Sequence, residues 1–179
     1  LWKGNTAADD LVVLQSRVGL IALEPETGKQ VWKLDQPCSS ISSTTAWNDY
    51  LLSPIRGLTA LRRESDAGGF EPAWQEQRLG PANISPVVHE GRVYTIKSAG
   101  ILVCGDAATG KVIWQLRLKG PIWGTPAIGD GHLYAANHDG LVQIVQLGKD
   151  GGNLVSTGQL DGTVLASPAI SGKAVFFRS

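Results

Sequence analysis

The sequence predicts an all-β protein, a β-propeller of four-stranded antiparallel blades with about four full repeats and a partial fifth. Three observations carry that expectation. Tryptophan recurs as Trp32, Trp74 and Trp114, at intervals of 42 and 40, with Leu154 a further 40 on. Glycine precedes a third apolar run at Gly19, Gly57, Gly100 and Gly140, at intervals of 38, 43 and 40. A small-Pro-apolar opener recurs as "SPVV" at Ser85, "TPAI" at Thr125 and "SPAI" at Ser167, with "TTAW" from Thr44 and "TAAD" from Thr6 as weaker copies. A shared period of this length, filled with short strands, marks a propeller blade. A β-sandwich also has many short strands, but it lacks a fixed self-similarity.

The units run over residues 5–41, 43–81, 84–120 and 124–162, with a partial unit at 166–179. The third shows the strands most plainly, at 85–88, 93–96, 101–104 and 112–116. Valine, isoleucine, tyrosine and tryptophan fill them, and helical periodicity is absent. Between them lie "HEG", "KSAG" and "GDAATGK", where glycine supplies positive φ and Asp or Thr bonds nearby backbone. The second unit is stretched by "ESDAGGF", and the fourth has lost its tryptophan. "SPAISGKAVFFRS" then supplies two strands of a fifth. "LWK" at 1–3 reads as a stray strand fragment. It either pairs with "VFF" at 175–177 to close a five-bladed ring, or the chain is part of a longer one or of an assembly. The second reading is favoured, because an uncovered blade face is a large apolar patch.

Bulk composition narrows the function classes. Apolar residues make up 42% and charged residues 18% of the 179, which suits a folded domain rather than disorder. Lys plus Arg equals Asp plus Glu at 16 each, so net charge predicts no attraction to nucleic acid or membrane. No apolar run reaches the length of a membrane span. Methionine is absent, which reads as a processed product or an excised piece, so a missing leader carries no information on compartment. Cys38 and Cys104 stand far apart and imply no disulfide framework.

"ALEPETGKQVW" at 22–32 and "CGDAATGKVIW" at 104–114 resemble the tryptophan-docking motif of the quinoprotein-like, PQQ-repeat β-propeller family, and the resemblance spans nearly the whole chain. It implies that Trp32, Trp74 and Trp114, with Gly28 and Gly110, form a structural motif in which the indole packs across the blade boundary against a Thr-Gly turn. Such an indole contributes about 1.5–3 kcal/mol by burial, and its N–H needs a partner.

The family has catalytic and non-catalytic branches. Its dehydrogenases hold pyrroloquinoline quinone and calcium, use an Asp base, and often carry two adjacent cysteines. Here the cysteines are not adjacent, and Cys104 occupies the motif's alanine position as a small buried residue. No carboxylate cluster suited to calcium is legible. Asp106 reads as a turn-former. His89, His132 and His138 match no zinc spacing, and no phosphate loop or nucleophile elbow is present. No cofactor, metal site or catalytic residue is therefore expected. The first reading is a non-catalytic interaction or assembly scaffold, similar to the propeller scaffold of the outer-membrane barrel assembly machine. The alternatives are a fragment of a quinone-dependent dehydrogenase and an extracytoplasmic sensor domain. A periplasmic or extracellular location follows from the resemblance alone.

Charge placement suggests where a partner would bind. Second-to-third turns and blade connectors share one face of a propeller; the other turns share the opposite face. The first set carries Arg17, Arg56, Lys97 and His138, with Arg178 at the matching place in the fifth unit. First-to-second turns carry Asp9, Asp10, Asp49, Glu90 and Asp130. The expected result is a positive mouth that attracts an acidic protein or peptide partner. Trp123, outside the tryptophan period, lines the channel or caps the core.

Overall fold

The computed structural model describes residues 2, 10–64 and 69–179. They form successive antiparallel sheets of a β-propeller. Blade 1 holds β1 (Val12–Ser16), β2 (Gly19–Leu23) and β3 (Gln30–Leu34). Blade 2 holds β4 (Thr45–Trp47), β5 (Tyr50–Ser53), β6 (Leu58–Arg63) and β7 (Phe70–Glu76), followed by a short 3-10 turn at Gln77–Leu79. Blade 3 holds β8 (Val87–His89), β9 (Arg92–Ile96), β10 (Ile101–Asp106) and β11 (Val112–Arg117). Blade 4 holds β12 (Ala127–Gly129), β13 (His132–Ala136), β14 (Leu141–Leu147) and β15 (Gly152–Gln159). A hairpin of β16 (Ala169–Ser171) and β17 (Ala174–Phe176) follows.

Trp2 forms an antiparallel bridge with Leu11, on the β1 side of its own blade. Its indole Nε1 donates to Asn48 O at 2.9 Å, and its ring meets Phe70 edge-on at 5.6 Å. An apolar ring with one donor has both needs met there, which fixes Trp2 between blades 1 and 2. The "TAAD" copy and Asp9 lie outside the described residues.

Adjacent residues on the second strands point to opposite faces, and both faces are covered. Leu51 packs toward blade 1 with Leu20, Ala22 and Phe70, whereas Leu52 packs toward blade 3 with Val93 and Val103. Tyr94, next to Val93, packs with Leu133 and Val145 of blade 4. A blade buried on both faces loses the in-out alternation of a half-solvated sheet, which is why its strands read as continuous apolar runs.

Each full blade carries a register shift at one place: between Ala22 and Leu23, Ala60 and Leu61, Cys104 and Gly105, and Ile144 and Val145. A bulge here bends the strand and raises its twist, which aims the outer strand at the neighbouring blade. The pairing also corrects the place of Leu154. Trp114 faces Cys104, but Ile144 faces Ser156, and Leu154 pairs with Val145 beyond the bulge. The β14–β15 ladder runs on to Leu147 and Gly152, so its hairpin is longer and simple counting lands short of the equivalent residue.

The repeated opener has a bonding role. Ser43 N donates to Ser85 Oγ at 2.9 Å, Ser85 N to Thr125 Oγ1 at 3.0 Å, and Thr125 N to Ser167 Oγ at 3.0 Å. Ser85 and Thr125 thus each accept from the blade before and donate to the blade after. Proline follows three of these four residues, fixes φ there and brings no competing N–H.

Candidate functional site

The connectors and the second-to-third turns form one face because their backbones bond each other. His138 N donates to Pro121 O at 2.8 Å, and Val164 N donates to His138 O at 3.1 Å, so His138 is held between two connectors. Leu118 N reaches Gly100 O, Ala82 N reaches Ile96 O, and Ser39 N reaches Pro54 O in the same way. On the opposite side Ala107 N reaches Gly91 O and Leu147 N reaches Gly131 O, which groups first-to-second with third-to-fourth turns.

Arg17 and Arg56 are exposed and Lys97 half-buried on the connector face. His138 Nδ1 lies 3.3 Å from Asp139 Oδ1, so blade 4 sets a carboxylate beside its titratable ring. Register places Arg178, two residues beyond Phe176, in step with Ile96 and just short of the turn. Asp49, Glu90 and Asp130 are exposed on the far face, and Asp10 lies just before β1. The backbone at Arg56 has φ +46°, and Gly57 follows at φ +100°. A Cβ at Gly57 would stand 2.6 Å from Gln77 Cα, so the tight approach to the next connector requires glycine.

Sequence reading singles out Trp123, in a connector of this same face, but misses that Ile41 and Leu165 share its repeat position. Ile41, Trp123 and Leu165 each stand two residues before an opener (Ser43, Thr125, Ser167) and are 55%, 42% and 59% exposed. Asn83 takes that position in the connector between blades 2 and 3. Trp123 therefore does not cap the core. The available signal was the period, applied to connectors rather than strands.

The three periodic tryptophans each lie against the outer hairpin of the following blade. Trp74 Nε1 donates to Ala107 O at 3.2 Å, and a Cβ at Gly110 would stand 2.5 Å from the Trp74 ring. Trp32 lies similarly close to Gly69, and Trp114 to Gly152. Trp114 is buried, yet its Nε1 has no hydrogen-bond partner. Gly28 has φ +70° and open space where a side chain would be.

Among the described residues, no three His, Cys, Asp or Glu side chains come together in a way that could hold a metal ion. Cys38 and Cys104 are free and buried, and burial pushes both thiols up. Asp106 is a turn-former: its Oδ1 accepts from Thr109 N and Oγ1, both at 2.7 Å. A cleft of about 240 Å³ opens between blades 1 and 2, lined by Trp2, Gln15, Ser43 and Thr44 among others, none of them acidic or basic. No helix is long and apolar enough to cross a membrane among these residues.

Comparison with known proteins adds to this geometry. Residues 43–178 match the family described as outer membrane protein assembly factor BamB. The protein of that name from Yersinia pestis is 26% identical over 163 residues, covering 82% of this chain and 40% of the relative. Polyvinylalcohol dehydrogenase of Sphingopyxis sp. (strain 113P3) is 30% identical over 119 residues, 64% of this chain and 14% of that one. Among solved structures, BamB from Moraxella catarrhalis superposes with a TM-score of 0.74 at 20% identity, over 93% of this chain and 54% of its own. Quinohemoprotein alcohol dehydrogenase from Comamonas testosteroni gives a TM-score of 0.69 at 13% identity, over 91% of this chain and 36% of its own. The chain thus spans about half the length of these relatives or less.

Proposed function

Because the chain belongs to the family described as outer membrane protein assembly factor BamB, we propose that it is a non-catalytic, periplasmic scaffold that binds a partner protein through its connector face. The observation that carries this is the recurrence of exposed Ile41, Trp123 and Leu165 at one repeat position, beside the cationic turns Arg17, Arg56 and Lys97. Large apolar side chains supply anchors, and the surrounding cations favour an acidic partner and speed its approach. The preferred partner is a segment that alternates apolar and acidic side chains. The periodic tryptophans, with Gly110 and its counterparts, serve on this reading to hold the blades rigid beneath that face.

Trp123 is a built-in reporter for the test. Its fluorescence would be followed while a leucine–glutamate peptide, or a leucine–lysine peptide of equal length, is added. The acidic peptide should bind more tightly, and salt should weaken it. Replacing Arg17, Arg56 and Lys97 together with Gln should slow its association, and Ile41→Ser with Leu165→Ser should raise its Kd. Equal affinity for the two peptides would sink the proposal.

A second reading rests on the likeness to polyvinylalcohol dehydrogenase. On that reading the chain is part of a quinone-dependent dehydrogenase whose catalytic residues lie on other blades. Saturable, calcium-dependent quenching of tryptophan fluorescence by pyrroloquinoline quinone would favour it over the scaffold.

A further inference from the structure

Charge on the connector face is shared unevenly between the blades. Blades 2 and 3, with the connectors that leave them, carry Arg56, Arg78, Lys97, Arg117 and Lys119 there, against one carboxylate, Glu76. Arg78 grips that carboxylate with two donors, Nε at 3.1 Å and Nη2 at 2.9 Å. These bonds, with a smaller pull from Lys97, hold the Glu76 carboxyl down to about 2. An anion at this place is thus stabilised by the cations around it. Among the described residues no carboxylate forms an ion pair with Arg56, Lys97, Arg117 or Lys119. Arg117 Nη1 donates to Ala99 O at 3.1 Å, which lays its guanidinium over the turn that carries Lys97.

Past that sector the sign changes. Blade 4 puts exposed Asp139 in its second-to-third turn. Leu160 N donates to Gly140 O at 3.0 Å, and that bond sets exposed Asp161 beside the same turn. Arg178 lies farther round, on the last hairpin. Trp123 stands between the two sectors, in the connector from blade 3 to blade 4 that also carries Lys119. This connector is fixed in place by buried amides. Gln143 accepts from Lys119 N at 2.7 Å and donates to Lys119 O at 3.1 Å. Asn137 Nδ2 donates to the same oxygen at 3.1 Å.

We propose that the connector face reads its protein partner in one lateral sense: acidic side chains over blades 2 and 3, an apolar side chain on Trp123, and no acid over blade 4. This rests on the connector-face reading and sharpens it, because only one half of an alternating segment can place its carboxylates favourably. Carboxylates on the cationic side gain from Lys97, Arg117 and Lys119. The same groups on the other side of Trp123 meet Asp139 and Asp161. An interface that repels in one sector and attracts in another discriminates better than attraction alone. Asn83 fits this division. It stands where the other connectors have Ile41, Trp123 and Leu165, so the connector between blades 2 and 3 offers charge without an apolar anchor.

Calorimetric titration with leucine peptides of equal length is the test. Their alternate positions hold glutamate throughout, glutamate in one half and glutamine in the other (in either order), or lysine throughout. The better half-acidic peptide should bind at least as tightly as the fully acidic one, and the lysine peptide least. Arg117→Gln with Lys119→Gln should weaken both acidic kinds about fivefold at low salt. Asp139→Asn with Asp161→Asn should strengthen the fully acidic peptide about threefold and leave the half-acidic one unchanged. The same loss of positive charge on the opposite face, Lys149→Gln with Lys173→Gln, should alter neither. A lysine peptide that binds as well as the acidic ones would sink the connector-face reading, and this inference with it. If the preference for acid holds, two results would overturn the one-sided placement alone. One is a half-acidic peptide that binds more weakly than the fully acidic one in both orders. The other is an Asp139 and Asp161 double variant that gains nothing.

Discussion

Thr95 and Tyr94 sit side by side on β9, and their burial has opposite consequences. Thr95 Oγ1 is buried with no hydrogen-bond partner. Its counterpart Ser53 accepts from Thr44 Oγ1 at 3.1 Å, but the third blade places Pro86 where the second has Thr44, so that hydroxyl pair is lost. A buried, unpaired hydroxyl costs about 1–3 kcal/mol. Thr95→Val keeps the shape and should raise stability by about 1 kcal/mol, whereas Ser53→Ala should lower it by about 1 kcal/mol. Chemical denaturation of the two variants checks both signs. A destabilised Thr95→Val would mean that the hydroxyl is bonded after all. Tyr94 is a buried phenol next to Cys104, and burial above all pushes its pKa up to about 12. A raised folded-state value favours the protonated form in the fold. Its contribution to stability is full below the unfolded value of about 10. It is lost as pH rises toward about 12. Spectrophotometric titration should therefore show a late phenol ionisation near pH 12. Tyr94→Phe should remove it, and persistence of the late step would reject the assignment.

Strands and hairpins were largely legible from the period, because a buried blade needs apolar runs between glycine-rich turns and the sequence repeats both. What counting residues could not give was register. The bulge after Ala22, Ala60, Cys104 and Ile144 adds a residue on the outer strand, and the longer β14–β15 hairpin then displaces Leu154 from the place that the forty-residue step assigns it. The shared repeat position of the exposed connector residues escaped for a related reason. Asn83 interrupts Ile41, Trp123 and Leu165, and a connector has no strand periodicity to draw the eye to them. Trp2 looked like a stray fragment because its partners, Leu11 and Asn48, are set by folding and not by spacing. The two best-placed tryptophans also differ in a way only geometry shows. Trp74→Phe removes the indole donor to Ala107 O, while Trp114→Phe removes an N–H that has no partner. Trp74→Phe should therefore cost about 1 kcal/mol more than Trp114→Phe, although Trp114 is the more buried ring. Equal losses in thermal denaturation would mean that ring area alone decides.

Across the whole chain, stability should follow position in the row of blades. Each blade contacts its neighbours, so the free energy of the stack is close to a sum of blade terms and nearest-neighbour seams. Blades 2 and 3 each lie between two other blades of at least three strands. The β16–β17 hairpin has one such neighbour within the chain, and Phe176 is 58% exposed where its repeat equivalents Leu52 and Tyr94 are buried. Native-state hydrogen exchange should accordingly protect the amides of β5, β6, β9 and β10 far longer than those of β16 and β17. Uniform protection from end to end would contradict the nearest-neighbour description.

The bonds from Ser43 to Ser85, Ser85 to Thr125 and Thr125 to Ser167 are one joint made three times, with an N–H on one side and a hydroxyl on the other. Any blade that ends in such a joint can meet any blade that begins with one. Excising residues 85–124 would bring Ser43 to Thr125, donor to acceptor, and duplicating the same stretch would insert one more step of the same kind. Whole-unit slippage in the coding sequence would then change how many blades the chain carries without creating a seam the fold has not already used.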